Sequence, residues 1–304
     1  MMQRRKRKPS SAEQGNDMSL LREKLIICLA VVGISLSGIF AKLYDAPSMY
    51  IVLMRLLFST LLISVPYVIS LKKEHEYFSP RIVGYTALAG TMLALHFFCF
   101  FESVRLASVA SGTLLINTSV FFVPAIMFIV FGERLSAKAI FGIALSFVGS
   151  AIIAMGDSAA GSNVLLGDVL AIFGALCEAV YMIMGMLCRR RLSTTAYTGS
   201  VYSFATIAAF ILVMLLHIPL TGYGVMDYGS ALGMALFCTV MGHSVLSRGL
   251  KFVSPSFVST SKLAEPVYAA IIALFLFAEV PSVSTVVGGV IIIAGVLWTM
   301  KYQN

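Results

Sequence analysis

The chain has 304 residues, 59% of them hydrophobic and only 12% charged, with a formal net charge of +8; its mean hydropathy is +0.93. A soluble domain carries about 25% charged residues, and a single aqueous core cannot conceal this much apolar surface. Composition therefore excludes a soluble enzyme, a disordered protein and a nucleic-acid-binding module, and leaves an integral membrane protein.

Residues 1–24 come first and hold seven basic residues, Arg4, Arg5, Lys6, Arg7, Lys8, Arg22 and Lys24. Polar and without periodicity, this tail is expected to be disordered, to hold the N-terminus in the cytoplasm and to touch anionic lipid. A cleaved signal peptide does not fit, because the first apolar segment is long and lacks a small-residue cleavage site. Continuous apolar runs then predict ten spanning helices: Leu25–Leu43, Met49–Ser70, Ile82–Ser103, Val109–Phe131, Ala137–Met155, Leu166–Leu187, Ala196–Leu216, Ser230–Leu250, Phe257–Ala278 and Val283–Met300, here spans 1 to 10. Runs of ~20 apolar residues are the length of a spanning helix, whereas barrel strands alternate over ~10. The predicted class is all-α integral membrane. With the N-terminus inside, the inner segments hold eighteen Lys and Arg, and the outer ones only Lys42 and Arg105. That bias places both termini in the cytoplasm and the protein in the cytoplasmic membrane. The five cysteines form no CxxC and read as small buried hydrophobes, and no metal or cofactor is expected.

Shifting the first half by 146 residues overlays spans 3–5 on spans 8–10 without a gap. Ser108 meets Ser254, Phe131 meets Phe277, Glu133 meets Glu279, Gly142 meets Gly288 and Gly149 meets Gly295. Each half has an odd number of spans, so the second half, 166–301, enters the membrane upside down relative to the first, 25–155. Inverted repeats serve alternating access to a central site.

Several stretches also resemble a known family: Ala94-Leu95-His96-Phe97, Ser108-Val109-Ala110-Ser111, Phe131-Gly132-Glu133-Arg134-Leu135, Gly242-His243-Ser244, Leu263-Ala264-Glu265-Pro266 and Phe277-Ala278-Glu279. Their order and spacing are similar to the EamA-type branch of the drug/metabolite transporter superfamily. The resemblance implies ten helices in two five-helix repeats around a cavity, and movement of small polar metabolites or amphipathic compounds, often as export. The sequence differs from the family at Glu178, where an aromatic residue is common.

Polar residues within the spans are candidates for the site. Glu178 lies about twelve residues into span 6, ~18 Å deep, where a carboxylate costs at least ~2.5–3.5 kcal/mol. It reads either as a proton-coupling or substrate-amine site or as a protonated glutamate bonded between helices. Lys262 and Glu265 share a helix face at i, i+3, as a functional pair or a self-contained ion pair. Pro266 follows and is expected to break span 9. His96 and His243 are candidate proton relays, expected off-centre on opposite sides of the membrane, nearer the two mouths. Arg55 reads as a substrate-anion ligand or a helix clamp, and Lys42 as interfacial. Glu133 and Glu279 are expected to close equivalent helix–loop junctions. Gly142, Gly149, Gly288 and Gly295 read as packing or, at most, a contact between protomers of a homodimer. The aromatic run from His96 to Phe101 reads as lipid-facing or packing surface.

The expected function is secondary active transport of a small metabolite by alternating access, with proton coupling as an option. No Walker-type phosphate loop is present. The competing readings are a lipid-modifying membrane enzyme, for which the outer acids Asp45, Glu102, Asp157, Asp168 and Asp227 are too scattered, and a non-transporting membrane scaffold.

Overall fold

The computed structural model describes residues 11–41, 43–107, 109–155, 162–277 and 280–302. Lys42, Ser108, Asp157, Ala278 and Glu279, each given a role above, lie outside them. The described residues form helices and no strands. Nine helices are long and apolar enough to cross a membrane, and a bent pair, Ser48–Leu62 and Ser64–Tyr77, brings the count to as many as ten.

Four features differ from the sequence expectation. Span 1 starts at Ser11, so residues 11–24 are helical rather than disordered. The apolar turns that follow continue the helix without a breaker, and its inner end is tied down: Lys24 Nζ donates to the Met300 carbonyl at 2.8 Å and Arg248 pairs with Glu23 at 2.5 Å. Span 2 turns by 62° after Leu62. Pro66 supplies the reason, since it has no N–H for the Leu62 carbonyl and its ring collides with it. Span 4 is broken into Val109–Ile116 and Ser119–Phe131. Span 8 carries a π-helical stretch, Met234–His243, of the kind that marks functional sites.

The break in span 9 falls before Pro266, as expected, between Pro255–Lys262 and Glu265–Phe277. Its bounds are those of span 4 plus 146 at all four helix ends. Both breaks are short turns of i to i−3 bonds, from Thr118 N to Leu115 O in one and from Ala264 N to Ser261 O in the other.

The packing obeys the same exchange. Span 5 lies along span 10 and span 2 along span 7; span 3 on span 6 mirrors span 8 on span 1. Residues 146 apart even touch. Thr60 and Thr206 hydroxyls are 3.0 Å apart, Ser146 Oγ donates to the Ile292 carbonyl at 3.4 Å, and the Phe97 and His243 rings are 5.1 Å apart. A pseudo-twofold axis therefore passes between these pairs.

The glycines on spans 5 and 10 are consumed in that interface. A Cβ on Gly149 would stand 2.6 Å from the Gly288 carbonyl, and one on Gly295 2.7 Å from the Gly142 carbonyl. Their contact lies within one chain and not between protomers, because the inverted halves bring the stripes face to face.

Loop contacts sort into two ends. At one, which we call the terminal end, Glu74 Oε2 accepts from Ser193 N at 2.7 Å, and Trp298 Nε1 donates to the Lys138 carbonyl at 3.0 Å. At the other, the Asp227 carboxylate accepts from the amides of Asp45, Ala46 and Gly224 at 2.8–3.0 Å, and Asn163 N donates to Leu106 O. These are the two sets into which the charge bias divides the loops.

Candidate functional site

The charged side chains of the interior converge beside the pseudo-twofold axis. Arg55 of span 2, His96 and Phe97 of span 3, His243 of span 8, and Lys262 and Glu265 of span 9 line one small central chamber, closed by Ile34, Ser37, Phe100 and Ile116. Local structure explains the convergence. The π-helical turn shifts the register of span 8 and aims Thr239 and His243 inward, both buried. The break after Lys262 leaves Lys262 at the end of one helix and Glu265 at the start of the next.

Arg55 is fully buried. Its Nε donates to Thr239 Oγ1 at 2.8 Å, and its guanidinium lies over the Phe97 ring, 3.8 Å from the centroid. Desolvated contacts of this kind hold a cation well. Its Nη2 has no hydrogen-bond partner among the described residues. Arg55 thus ties span 2 to span 8 and also stands on the chamber wall, so both of its readings from the sequence stay open.

Lys262 donates to Glu178 in a buried ion pair between spans 9 and 6. The self-contained pair with Glu265, one of the two readings of this spacing, does not form among the described residues; the break ends the helix that would hold both side chains on one face. The second oxygen of Glu178 is buried without a partner among the described residues. Glu265 has no hydrogen-bond partner among the described residues, and the field of Lys262 and Arg55 acts on it.

The histidines do not lie near opposite mouths. His243 is the repeat image of Phe97, not of His96, and the two image residues meet ring to ring at the axis, so His96 and His243 both face the central chamber. The His96 ring donates from Nδ1 to the Gly174 carbonyl at 3.1 Å, whereas His243 Nδ1 is buried without a partner among the described residues. Of the two readings of the aromatic run of span 3, packing holds for Phe97 and Phe101, which are buried, and Phe97 also carries Arg55 on its face and the His243 ring against it. Phe97 and Thr239 were missed by sequence reasoning; the 146-residue register relates Phe97 to His243 and was the available signal. The Glu133 junction is closed by backbone, with Gly132 in the left-handed region (φ 70°) and the Glu133 amide bonded to the Met127 carbonyl.

A larger cavity of about 250 Å³ adjoins the chamber on the side away from the terminal end. Ala41, Val104, Thr113 and Ala154 line it, and among the described residues Glu265 is the only charged one on its wall. Glu265 and Phe100 line both spaces and so stand between them.

Comparison with known proteins agrees with this architecture. The EamA-like transporter family matches residues 22–155 and again residues 165–301. The chain belongs to the EamA-like transporter family. A protein of Archaeoglobus fulgidus, named as an uncharacterized transporter, is 28% identical over 222 residues, 72% of this chain and 75% of its own. The pseudopaline exporter CntI of Pseudomonas aeruginosa is 25% identical over 209 residues, 67% of this chain and 70% of its own. A solved crystal structure superposes with a TM-score of 0.74 at 15% identity, covering 92% of this chain and 96% of that one, and so shares the fold. The EamA-like protein described here is thus a multi-pass membrane transporter of small molecules, in which two copies of the family unit meet around a buried charged chamber.

Proposed function

We propose that this EamA-like protein is a secondary transporter that exports a small charged metabolite across the cytoplasmic membrane by alternating access of its two halves. One observation carries the reading: the charged chamber lies beside the pseudo-twofold axis and meets a cavity whose wall runs to Ala41, Val104 and Ala154, near the ends of spans 1, 3 and 5 away from the terminal end. Exchange of conformation between two inverted halves would close that cavity and open its image at the other end, around the same chamber. The eighteen-to-two basic bias supports a cytoplasmic terminal end, and therefore an outward-facing cavity in this conformation.

The chamber suits a solute that carries both an acid and a base. The open edge of Arg55 receives a carboxylate or phosphate, and the Glu265 carboxylate receives an amine. Glu178 holds Lys262 until the halves move. Glu265, His96 and His243 form the route by which a proton exchanges with the solute. A relative named as an exporter of pseudopaline supports both a metabolite cargo and the outward direction.

Purified protein in proteoliposomes, screened against metabolites with and without a pH gradient, tests the reading. At least one amphoteric solute is expected to move, with flux enhanced by the gradient and abolished in Arg55→Gln and Glu265→Gln protein of normal thermal stability. Wild-type flux in both variants would overturn the site. A cellular phenotype retained by both would favour the scaffold, and chemical turnover of lipid the membrane enzyme.

A further inference from the structure

A second cavity, about 440 Å³, lies away from the transport pathway, between the Ser119–Phe131 segment of span 4 and span 5. Its walls are apolar and turned outward: Phe121, Phe128 and Ile140 are 42%, 50% and 55% exposed. Glu133 and Arg134 line its mouth at the terminal end. We propose that this groove binds a phospholipid with a primary-amine headgroup, of the phosphatidylethanolamine type, with one acyl chain in the groove, its phosphate on Arg134 and its ammonium on Glu133.

Depth, length and charge point to this occupant. The mouth sits at the level of Lys138, whose carbonyl receives the Trp298 Nε1–H and whose ammonium lies 4.7 Å from the centre of the Tyr302 ring. Trp and Tyr gather at the headgroup level of a bilayer. From Phe131, just before the mouth, to Val120 at the far end, the helix rises about 17 Å, enough to hold a chain through one leaflet of a ~30 Å core. Neither Glu133 nor Arg134 joins the ion pairs of the described residues; Arg134 instead lies over the Phe128 ring at 5.5 Å. Side by side, they present one anion and one cation to the headgroup region. A guanidinium matches phosphate, and a carboxylate accepts N–H bonds that ethanolamine offers, that quaternary choline lacks and that glycerol cannot supply as a cation. The repeat image of Arg134 is Val280, followed by Pro281, so the image of the mouth has no base. Val120, at the deep end, packs with Leu263 and Ala264 at the break of span 9, so a bound chain braces the helix segment beside the chamber.

Native mass spectrometry of the full-length protein, released from nanodiscs holding equal amounts of ethanolamine, choline and glycerol phospholipids with identical chains, tests the proposal. The expected result is retention of the ethanolamine lipid about two- to fivefold over the other two, the scale of one exposed ion pair. Glu133→Gln should remove its advantage over the glycerol lipid, and Arg134→Gln should lower retention of all three. Ala144→Trp, an exposed groove position, should do the same by filling the space without touching the mouth. Equal retention of the three lipids by wild-type protein overturns the proposal. So does unchanged selectivity in Glu133→Gln together with unchanged retention in Ala144→Trp; these two variants decide the matter if Arg134→Gln fails to fold.

Discussion

Lys262 has a carboxylate three residues away in its own span, yet its ammonium pairs with Glu178 of span 6, 84 residues distant in the chain. Both side chains are buried, at 5% and 1% exposure, so each depends on the other for its charge to be tolerated. Breaking such a pair on one side costs about 3–5 kcal/mol, while replacing both partners with apolar groups is close to neutral. Lys262→Met alone should therefore lower the thermal unfolding temperature of the purified protein sharply, and adding Glu178→Leu should recover most of the loss. If the double variant instead falls by the sum of the two single changes, the pair is not a coupled unit. The burial cost of Glu178, Lys262, Glu265, Arg55 and the histidines could be read residue by residue, because a polar group in an apolar run is visible without coordinates. Their partners could not. The i, i+3 spacing of Lys262 and Glu265 presumes an unbroken helix, and the turn at Leu263-Ala264 removes that premise.

At the scale of elements, helix breaks and glycine contacts decide the geometry. The break in span 9 was legible from Pro266, and its image in span 4 was not, because Asn117 and Thr118 bring no proline with them. The bend in span 2 follows from Pro66, inside a run whose continuous hydrophobicity hides it. Spans 5 and 10 approach so closely at Gly149 and Gly288 that a Cβ on either would meet backbone, at 2.6 and 2.5 Å. Backbone atoms cannot step aside as a flexible side chain can. Gly149→Leu should accordingly destabilise the protein by at least about 1–3 kcal/mol, the overpacking range, or prevent its recovery as a monodisperse species. Gly38→Ala, with nothing within 4 Å of its Cβ position, should unfold at the wild-type temperature. Size-exclusion profiles and thermal scans of the two variants side by side check this; equal behaviour would mean that the span 5–span 10 contact is not tight.

For the whole molecule, inversion of the second half is the decisive property. It sends the Arg134–Lys138 loop and its image, Val280–Ser282, to opposite ends. In a functional cysteine-less background, a membrane-impermeant maleimide should label Ser282→Cys in intact cells, and Ala137→Cys only after permeabilisation. Labelling of both from outside would end the inverted arrangement and the alternating-access reading with it. The ten apolar runs, the division of loops between two ends and the 146-residue repeat were determined by the sequence itself. Hydrophobic length and the placement of Lys and Arg act locally and need no knowledge of what packs on what. Which polar side chains meet was decided only by the tertiary structure. The pairing of Lys262 with Glu178, the bed of Phe97 beneath Arg55 and the meeting of the Phe97 and His243 rings at the axis all join residues distant in the chain. Such contacts depend on helix register, on where each helix breaks and on how two inverted halves close around their axis, and these are properties of packing that no single apolar run contains.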